Sequence, residues 1–407
     1  MENLIKRFVK YAKVHTTSSE DSETVPSTEI QKDLGKILVE DLKEIGLSDA
    51  YMDDKGYVYA TLKSNTDKNL KKIGFIAHMD TSPDMSGENV KPRIIENYDG
   101  SDIILNEKLN IHMGPNDFES LNRNIGENLI VTDGTTLLGA DDKAGIAEIM
   151  TMLETIIQKN LPHGDIKIAF TPDEEVGRGT DHFNVKAFDA DFAYTVDGGE
   201  VEFIDYENFN AASAVLDIQG LSIHPGSAKG KMINALLVGM EFHSMLPVEQ
   251  NPAYTEGYEG FNHLHSIQGT CEETVAEYII RNHDLQQANK QCQDFKDIAE
   301  FLNKKYGYKI VEVTITESYL NMKEALKDHM FIVEQALAAI KENGLDAYCS
   351  PIRGGTDGAR LTFKGLPCPN LGTGGFNYHG PYEYCSLTMM EKQVQILLHI
   401  LKNTASK

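Results

Sequence analysis

The chain has 407 residues, more than one compact core normally holds, so two domains are expected. Charged residues make up 25% and hydrophobic ones 41%, the balance of a soluble globular protein. Asp and Glu number 62 against 38 Lys and Arg, and the net charge of −24 argues against nucleic acid or an anionic membrane as a partner.

The opening Met1-Glu-Asn-Leu-Ile-Lys-Arg lacks the apolar core of a signal peptide, and no apolar run approaches membrane-spanning length. Cys271, Cys292, Cys349, Cys368 and Cys385 are scattered, odd in number and never spaced Cys-x-x-Cys. A reduced, cytoplasmic protein is expected.

Leu4, Phe8 and Ala12 predict a short amphipathic helix. Pro26-Ser27-Thr28 opens a longer one, with Thr28 and Gln31 spaced as a capping box, an apolar stripe of Ile30, Leu34, Leu38, Leu42 and Ile45, and Gly46 as the stop. Asp53-Asp54-Lys55-Gly56 between Tyr51 and the alternating Tyr57-Val58-Tyr59-Ala60 predicts a hairpin. Ile73-Gly-Phe-Ile-Ala-His78 is a short, bounded apolar run and reads as a buried strand. His78 and Asp80 share a face at its end, an imidazole beside a carboxylate that could hold its second ring nitrogen.

A polar insertion follows to about residue 130, with strand-like pieces at Arg93-Ile94-Ile95 and Ile103-Ile104-Leu105. Asp141 comes just ahead of a helix whose apolar face is Ile146, Ile149, Met150, Leu153 and Ile157. Residues 165–171 form a strand that leads to Asp173-Glu174-Glu175, and residues 191–196 form another that ends at Asp197. Strands alternating with helices predict an α/β fold, a mostly parallel sheet with helices on both faces. Such sheets bind ligands beyond the carboxyl ends of their strands, where His78, Asp80, Glu174, Glu175 and Asp197 all lie.

From about residue 209 the order becomes strand, helix, strand, strand, helix, strand. Leu285, Ala288, Cys292, Phe295 and Leu302 form one face of the second helix. This βαββαβ order predicts an inserted ferredoxin-like domain. The expected division is therefore 1–208, 209–319 and 320–407, the outer two forming one domain. The last part has a helix ending near Asn343-Gly344, the glycine-rich Arg353-Gly-Gly-Thr-Asp357-Gly and Gly372-Thr-Gly-Gly-Phe-Asn-Tyr-His379-Gly, and a final helix from about residue 388.

His78, Asp141, Glu175, Asp197 and His379 are each ordinary alone: Asp141 could be an N-cap and Asp197-Gly198 a turn. Together they supply imidazole and carboxylate along one sheet edge, which suits a pair of zinc-like ions sharing a bridging carboxylate. Glu174, beside Glu175, is placed to act as a general base. The chain has no Gly-x-Ser-x-Gly or His-Glu-x-x-His, which disfavours a serine hydrolase or single-zinc protease.

His78-Met-Asp80-Thr, Gly139-Ala-Asp141-Asp-Lys-Ala-Gly, Asp173-Glu174-Glu175-Val-Gly and Thr195-Val-Asp197-Gly-Gly resemble the co-catalytic zinc peptidases, a family that includes aminoacylases, glutamate carboxypeptidases and tripeptide aminopeptidases. Ser222-Ile-His224-Pro-Gly, the Arg353 segment and Asn377-Tyr-His379-Gly extend the resemblance to the tripeptide aminopeptidases over essentially the whole chain. The resemblance implies two Zn2+ ions per subunit, with Co2+ or Mn2+ as substitutes. His78 and Asp197 would hold one ion and Glu175 and His379 the other, with Asp141 bridging. Asp80 would orient His78, and Glu174 would activate a zinc-bridging water. His224, on the inserted lid and dimerisation domain, would stabilise the oxyanion, often from a neighbouring subunit. Arg353 resembles a substrate-contacting residue, with Asn377 and Arg281 as further candidates. The implied activity is release of the N-terminal amino acid from tripeptides by a cytoplasmic homodimer. Alternatives are an N-acyl amino acid deacylase, dipeptidase or carboxypeptidase on the same metal core, or a metal-binding homologue without catalysis.

Overall fold

The computed structural model describes residues 2–405, which form two units. One comprises the chain up to Tyr206, Ala325–Ser350 and the chain from Thr356 on. The other is Glu207–Glu324 with Pro351–Gly355.

The first unit is built on an eight-stranded sheet, ordered Tyr51–Met52, Val58–Leu62, Ile166–Thr171, Ile73–His78, Phe192–Val196, Asn370–Leu371, Phe203–Glu207, Tyr348–Pro351. From Ile166–Thr171 to Asn370–Leu371 neighbouring strands pair in parallel. The Tyr51 hairpin and Phe203–Glu207 add antiparallel pairings outside them. The strands Ile73–His78, Ile166–Thr171 and Phe192–Val196 are buried along their whole length. A continuous apolar run has this outcome when helices cover both faces of a sheet. On one side Ile73 and Phe75 belong to a core shared with Ile149 and Leu153 of the helix Ala140–Lys159 and Leu397 of the helix Leu387–Ala405. On the other, Ile76, Ala169 and Ala193 join Phe183, Phe188 and Leu361. The fold is thus the expected layered α/β arrangement.

Register brings the ends of the parallel strands together, with His78 opposite Thr171 and Ile76 opposite Thr195. The polar residues that follow these strands leave from one edge. The helix Ala140–Lys159 arrives there too. Its regular turns start after Asp142, because Asp141 (φ −84°, ψ 103°) and Asp142 (φ −121°, ψ 35°) are not helical. Gly145 lets this first turn press against the strand end: a Cβ at Gly145 would lie 1.9 Å from the Val196 carbonyl oxygen. Only glycine allows so close a backbone approach.

The polar insertion is a support. Arg93–Ile95 and Leu129–Val131 form a four-stranded sheet with Tyr384–Ser386 and Gly375–Phe376. The last two strands are the arms of the hairpin that carries His379 at its tip.

Three local expectations change. The helix Gln31–Glu44 starts without a side-chain cap. Thr28 donates its hydroxyl to the Thr17 carbonyl (2.7 Å), and Gln31 donates its amide to Asp173 Oδ1 (2.7 Å). A buried carboxylate close in space outcompetes the local capping box. In the helix Ala140–Lys159 Ile156 is buried, and Ile157 is 37% exposed. In the helix Leu285–Tyr306 the buried face is Ala288, Gln291, Phe295, Ile298, Ala299 and Leu302, leaving Leu285 exposed and Cys292 half-buried.

The second unit is a four-stranded antiparallel sheet ordered Phe261–Gly269, Glu273–Asn282, Asn210–Gln219, Val311–Tyr319. Burial alternates residue by residue along Glu273–Asn282. One face therefore packs, and Phe242 of the helix Ala235–Met245 and Phe295 and Leu302 of Leu285–Tyr306 meet Leu216, Tyr278 and Ile280 there. This is the ferredoxin-like arrangement.

Substituting Gly145→Ala is expected to destabilise the protein by about 1–3 kcal/mol, the usual cost of forcing extra volume into packed structure. Denaturant unfolding of the variant beside the wild type measures it, and an unchanged midpoint would contradict the close-contact account.

Candidate metal centre

Five side chains from five segments converge at the sheet edge. His78 is 2% exposed and ends its strand. Its Nδ1 donates to the Asp80 main-chain oxygen (3.0 Å), with Asp80 Oδ1 at 3.4 Å. That bond assigns the proton to Nδ1 and turns Nε2 toward two carboxylates, Asp141 Oδ1 at 2.9 Å and Asp197 Oδ1 at 3.5 Å. His379 is 42% exposed on its side chain and sits at φ 61°, in the left-handed region few non-glycine residues occupy. Its Nε2 lies 2.9 Å from Glu175 Oε2 and 3.5 Å from Asp141 Oδ2, and its Nδ1 is 3.3 Å from Asp84 Oδ2. Two donor groups result: His78, Asp197 and one oxygen of Asp141, and His379, Glu175 and the other oxygen of Asp141. Each imidazole has an oxygen on its second nitrogen, the arrangement that orients metal-binding histidines.

The electrostatics fit two cations. Burial pushes Glu175 up to about 8, with the Asp141 charge adding to it. Burial also pushes Asp197 up to about 6, with His78 opposing and Asp141 reinforcing the shift. Burial, then Asp197 and Asp357, hold Glu174 well above the usual carboxylate range. Hydrogen bonds to Asp141 and Glu175 raise His379 to about 11. For Asp141, burial pushes up, but His379 and His78 outweigh it and hold the carboxyl low. Glu175 Oε1 is buried without a hydrogen-bond partner. An orphaned buried oxygen, crowded carboxylates and an imidazole/carboxylate donor set are what divalent cations of the zinc type would satisfy.

Asp142 also lies near His78 and Asp197. Its oxygens are committed elsewhere, accepting the His78 N–H (3.1 Å) and the Gly145 N–H (3.2 Å). It therefore sets backbone and does not belong to either donor group. Asp80 acts similarly. Besides steadying His78, its two oxygens accept the Glu174 N–H (3.0 Å) and Glu175 N–H (3.1 Å). Asp173 accepts the Ser27 N–H at 2.7 Å. Asp357 accepts the Thr171 hydroxyl (3.0 Å). Tyr378 donates its hydroxyl to the Gly198 carbonyl (2.8 Å), tying the His379 hairpin to the turn after Asp197. Glu383, also on that hairpin, accepts three main-chain N–H groups around Asp141. Sequence reasoning missed Asp84, Asp142, Tyr378 and Glu383. Asp142 adjoins a candidate ligand, and Tyr378 and Glu383 flank His379, so proximity in sequence was the one available signal.

Asn377 donates its amide to the Tyr382 carbonyl (3.2 Å) within the same hairpin. The other candidates belong to the second unit. His224 is exposed, and its Nδ1 accepts the Gly226 N–H (3.1 Å), which leaves Nε2 as the donor of the neutral ring. Arg353 donates to the Gly257, Glu259 and Thr255 carbonyls and the Thr255 hydroxyl, and stacks on Phe209 and Phe261. Its guanidinium is engaged with the 255–259 loop. Arg281 donates to the Ala212 and Ile280 carbonyls over the Tyr319 ring.

The sequence profile of peptidase family M20/M25/M40 matches residues 133–403. A protein named peptidase T from Caldanaerobacter subterraneus subsp. tengcongensis is 55% identical over 403 residues, 99% of this chain and 98% of its own. One of the same name from Clostridium perfringens is 55% identical over 408 residues, covering both chains completely. Among solved structures, a tripeptidase from Staphylococcus aureus superposes with a TM-score of 0.79 at 25% identity, over 100% of this chain and 99% of its own. A Bacillus subtilis protein described as a dinuclear metal binding peptidase from the M20 family superposes with a TM-score of 0.64 at 13% identity, over 100% and 99%. At that identity the likeness shows the fold.

The carboxylate shifts give a pH dependence for the metal-free protein. Glu175 and Asp197 titrate in the folded state near 8 and 6, above their ordinary 4.5 and 3.8. Groups raised in this way contribute stability at low pH that is lost as pH rises through the folded values. Chelator-treated protein is expected to melt lower at about pH 8 than at about pH 5.5, with added divalent cation restoring most at the higher pH. Thermal unfolding across that range measures it, and a cation effect independent of pH would contradict it.

Proposed function

Because the chain belongs to peptidase family M20/M25/M40, we propose that it is a two-metal tripeptide aminopeptidase, releasing the N-terminal amino acid from free tripeptides. The observation that carries the two-metal reading is Asp141, whose two oxygens face two different imidazoles. The tripeptide assignment rests on the full-length relatives named peptidase T.

In this reading His78, Asp197 and Asp141 hold one ion, and Glu175, His379 and Asp141 the other. Zinc suits the donors, and cobalt or manganese could replace it. Bound there, the ions would supply Lewis acidity, easing loss of a proton from water and polarising the scissile carbonyl. Glu174 does the proton work. Its backbone is pinned through its N–H to Asp80, and its carboxylate is held high by burial and by Asp197 and Asp357. It takes a proton from the attacking water and delivers it to the departing amine. His224, with its donor at Nε2, stabilises the oxyanion from a second subunit. Arg353 and Arg281 steady the loops of the second unit, with Asn377 doing the same for the His379 hairpin, and any substrate contact they make is made from those positions.

Two features support a homodimer through the second unit. The helix Ala235–Met245 leaves Leu237 and Met240 61% and 59% exposed, and the strand Phe261–Gly269 lies at a sheet edge. A second copy would cover both. No described helix is long and apolar enough to cross a membrane. Five free cysteines suit a reducing compartment, and we place the protein in the cytoplasm.

Amino acid release from a free tripeptide is the direct test, run beside its N-acetylated form, a dipeptide and a longer peptide. Cleavage of the free tripeptide alone, abolished by chelator, is expected. Cleavage of the acetylated form instead would move the enzyme to the acylases. Glu174→Gln should cut kcat by about 10²–10⁴-fold with metal content unchanged, the range for a general acid–base residue. Near-normal turnover would remove Glu174 from the role.

Sedimentation of the wild type and of the Leu237→Glu/Met240→Glu variant addresses assembly. A dimer that dissociates in the variant, losing activity with its metals retained, is expected. A fully active monomer would exclude His224 action across subunits.

A further inference from the structure

Glu383 is 1% exposed and lies four residues beyond His379 on the same hairpin. Its carboxylate is used on one short segment far away in sequence. Oε2 accepts the N–H of Leu138 at 2.6 Å and of Gly139 at 2.8 Å, and Oε1 accepts the N–H of Asp141 at 3.0 Å. The neighbouring buried amine, Lys143, is engaged otherwise, donating to the Val14 carbonyl at 2.7 Å.

We infer that Glu383 is a positioning residue for the metal pair: it clamps the backbone of residues 138–141 so that Asp141 presents one oxygen to each donor group. The inference rests on the two-metal reading of the site.

First, nothing helical holds Asp141. Its φ and ψ are not helical, and Gly139 before it sits at φ 76°. The first N–H groups of a helix have no partner within the helix and take one from outside it. Glu383 supplies it at the residue whose two oxygens serve both groups. Second, the clamp needs a carboxylate. Three N–H donors converge on two oxygens. A carboxamide offers one oxygen, and its NH2 would face at least one of those donors, leaving a buried N–H unpaired. Third, the clamp and His379 share a hairpin whose arms are the paired strands Gly375–Phe376 and Tyr384–Ser386. One element therefore places a ligand of one group and the backbone of the residue common to both. Loosening it should weaken both metal positions together, and outer partners of metal ligands are typically worth about 10–100-fold in affinity.

The experiment titrates Co2+ into metal-free wild type, Glu383→Gln and Glu383→Asp, followed by the visible spectrum and by competition with a chelator. Wild type is expected to take up two equivalents. Glu383→Gln should bind both about 10–100-fold more weakly with an altered cobalt spectrum, and Glu383→Asp, which keeps a carboxylate one methylene short, should lose less. If Glu383→Gln does not fold, Glu383→Asp carries the measurement. Variants that melt at lower temperature but bind both equivalents with wild-type affinity and spectrum would overturn the inference, because a purely structural role predicts that result. Weakening of one equivalent alone would also overturn it, since the effect would then run through His379 and not Asp141. Wild type that takes up no pair of ions would sink the two-metal reading, and the inference with it. Wild type that binds two ions but cleaves no tripeptide would sink only the substrate assignment.

Discussion

The site depends on one electrostatic constraint: it buries more negative charge than its own cations can balance. Asp80, Asp142, Asp173, Asp357 and Glu383 are all buried near or against the segments that carry the candidate ligands, and Asp141, Glu174, Glu175 and Asp197 are half-buried among them. A buried carboxylate without a partner is expensive, so each needs an N–H, a proton or a cation. The chain divides them by partner. Asp80, Asp142, Asp173 and Glu383 are satisfied by main-chain N–H groups. Asp141, Glu175 and Asp197 face imidazoles and one another. Glu175 keeps a buried oxygen with no partner at all. The second set is the one that divalent cations would complete.

The first set explains the precision of the second. Asp142 holds the His78 backbone, Asp80 that of Glu174 and Glu175, and Glu383 that of Asp141. Asp197 is held by its strand instead, its N–H donating to the Leu371 carbonyl at 3.0 Å. His379 hangs from a hairpin stitched to the strands Leu129–Val131 and Arg93–Ile95, with Tyr378 bonded to Gly198 beside it. Candidate ligands on loops thus gain the rigidity of elements, because each loop is bonded at its backbone to a buried anion or a sheet.

Much of this was legible in the sequence, and the line between legible and hidden is physical. Buried strands and amphipathic helices announce themselves through local periodicity, and their ends shifted by a few residues, as where the helix opening at Pro26-Ser27-Thr28 begins at Gln31. The exchange of Ile157 for Ile156 shows how narrow the error is when several apolar residues adjoin. The convergence of His78, Asp141, Glu175, Asp197 and His379 was legible because few side-chain types suit metal chemistry and the α/β pattern places such residues at strand ends. The clamps were hidden because their partners are anonymous N–H groups far along the chain. Glu383 meets Leu138 across 245 residues, and nothing in Leu138-Gly139-Ala140 calls for an acid. The failed capping box has the same cause: Thr28 and Gln31 have the right spacing, but Asp173, 142 residues from Gln31, takes the glutamine amide.

The same division resolves an apparent redundancy. Asp141-Asp142 and Asp173-Glu174-Glu175 read as runs of interchangeable charge. Each run in fact splits between the two sets, since neighbouring side chains leave the backbone in different directions. Asp141 turns to the imidazoles while Asp142 turns back to the His78 and Gly145 N–H groups. Asp173 faces Ser27 and Gln31, Glu175 faces His379, and Glu174 between them joins neither set, with its N–H on Asp80. A clamp needs acceptor oxygens and works whether or not an ion is bound. A ligand needs charge and is unstable without the ion. In the two-metal reading, one of each at adjacent positions leaves a single stretch of backbone rigid before ions bind and gives it the last of its stability from them.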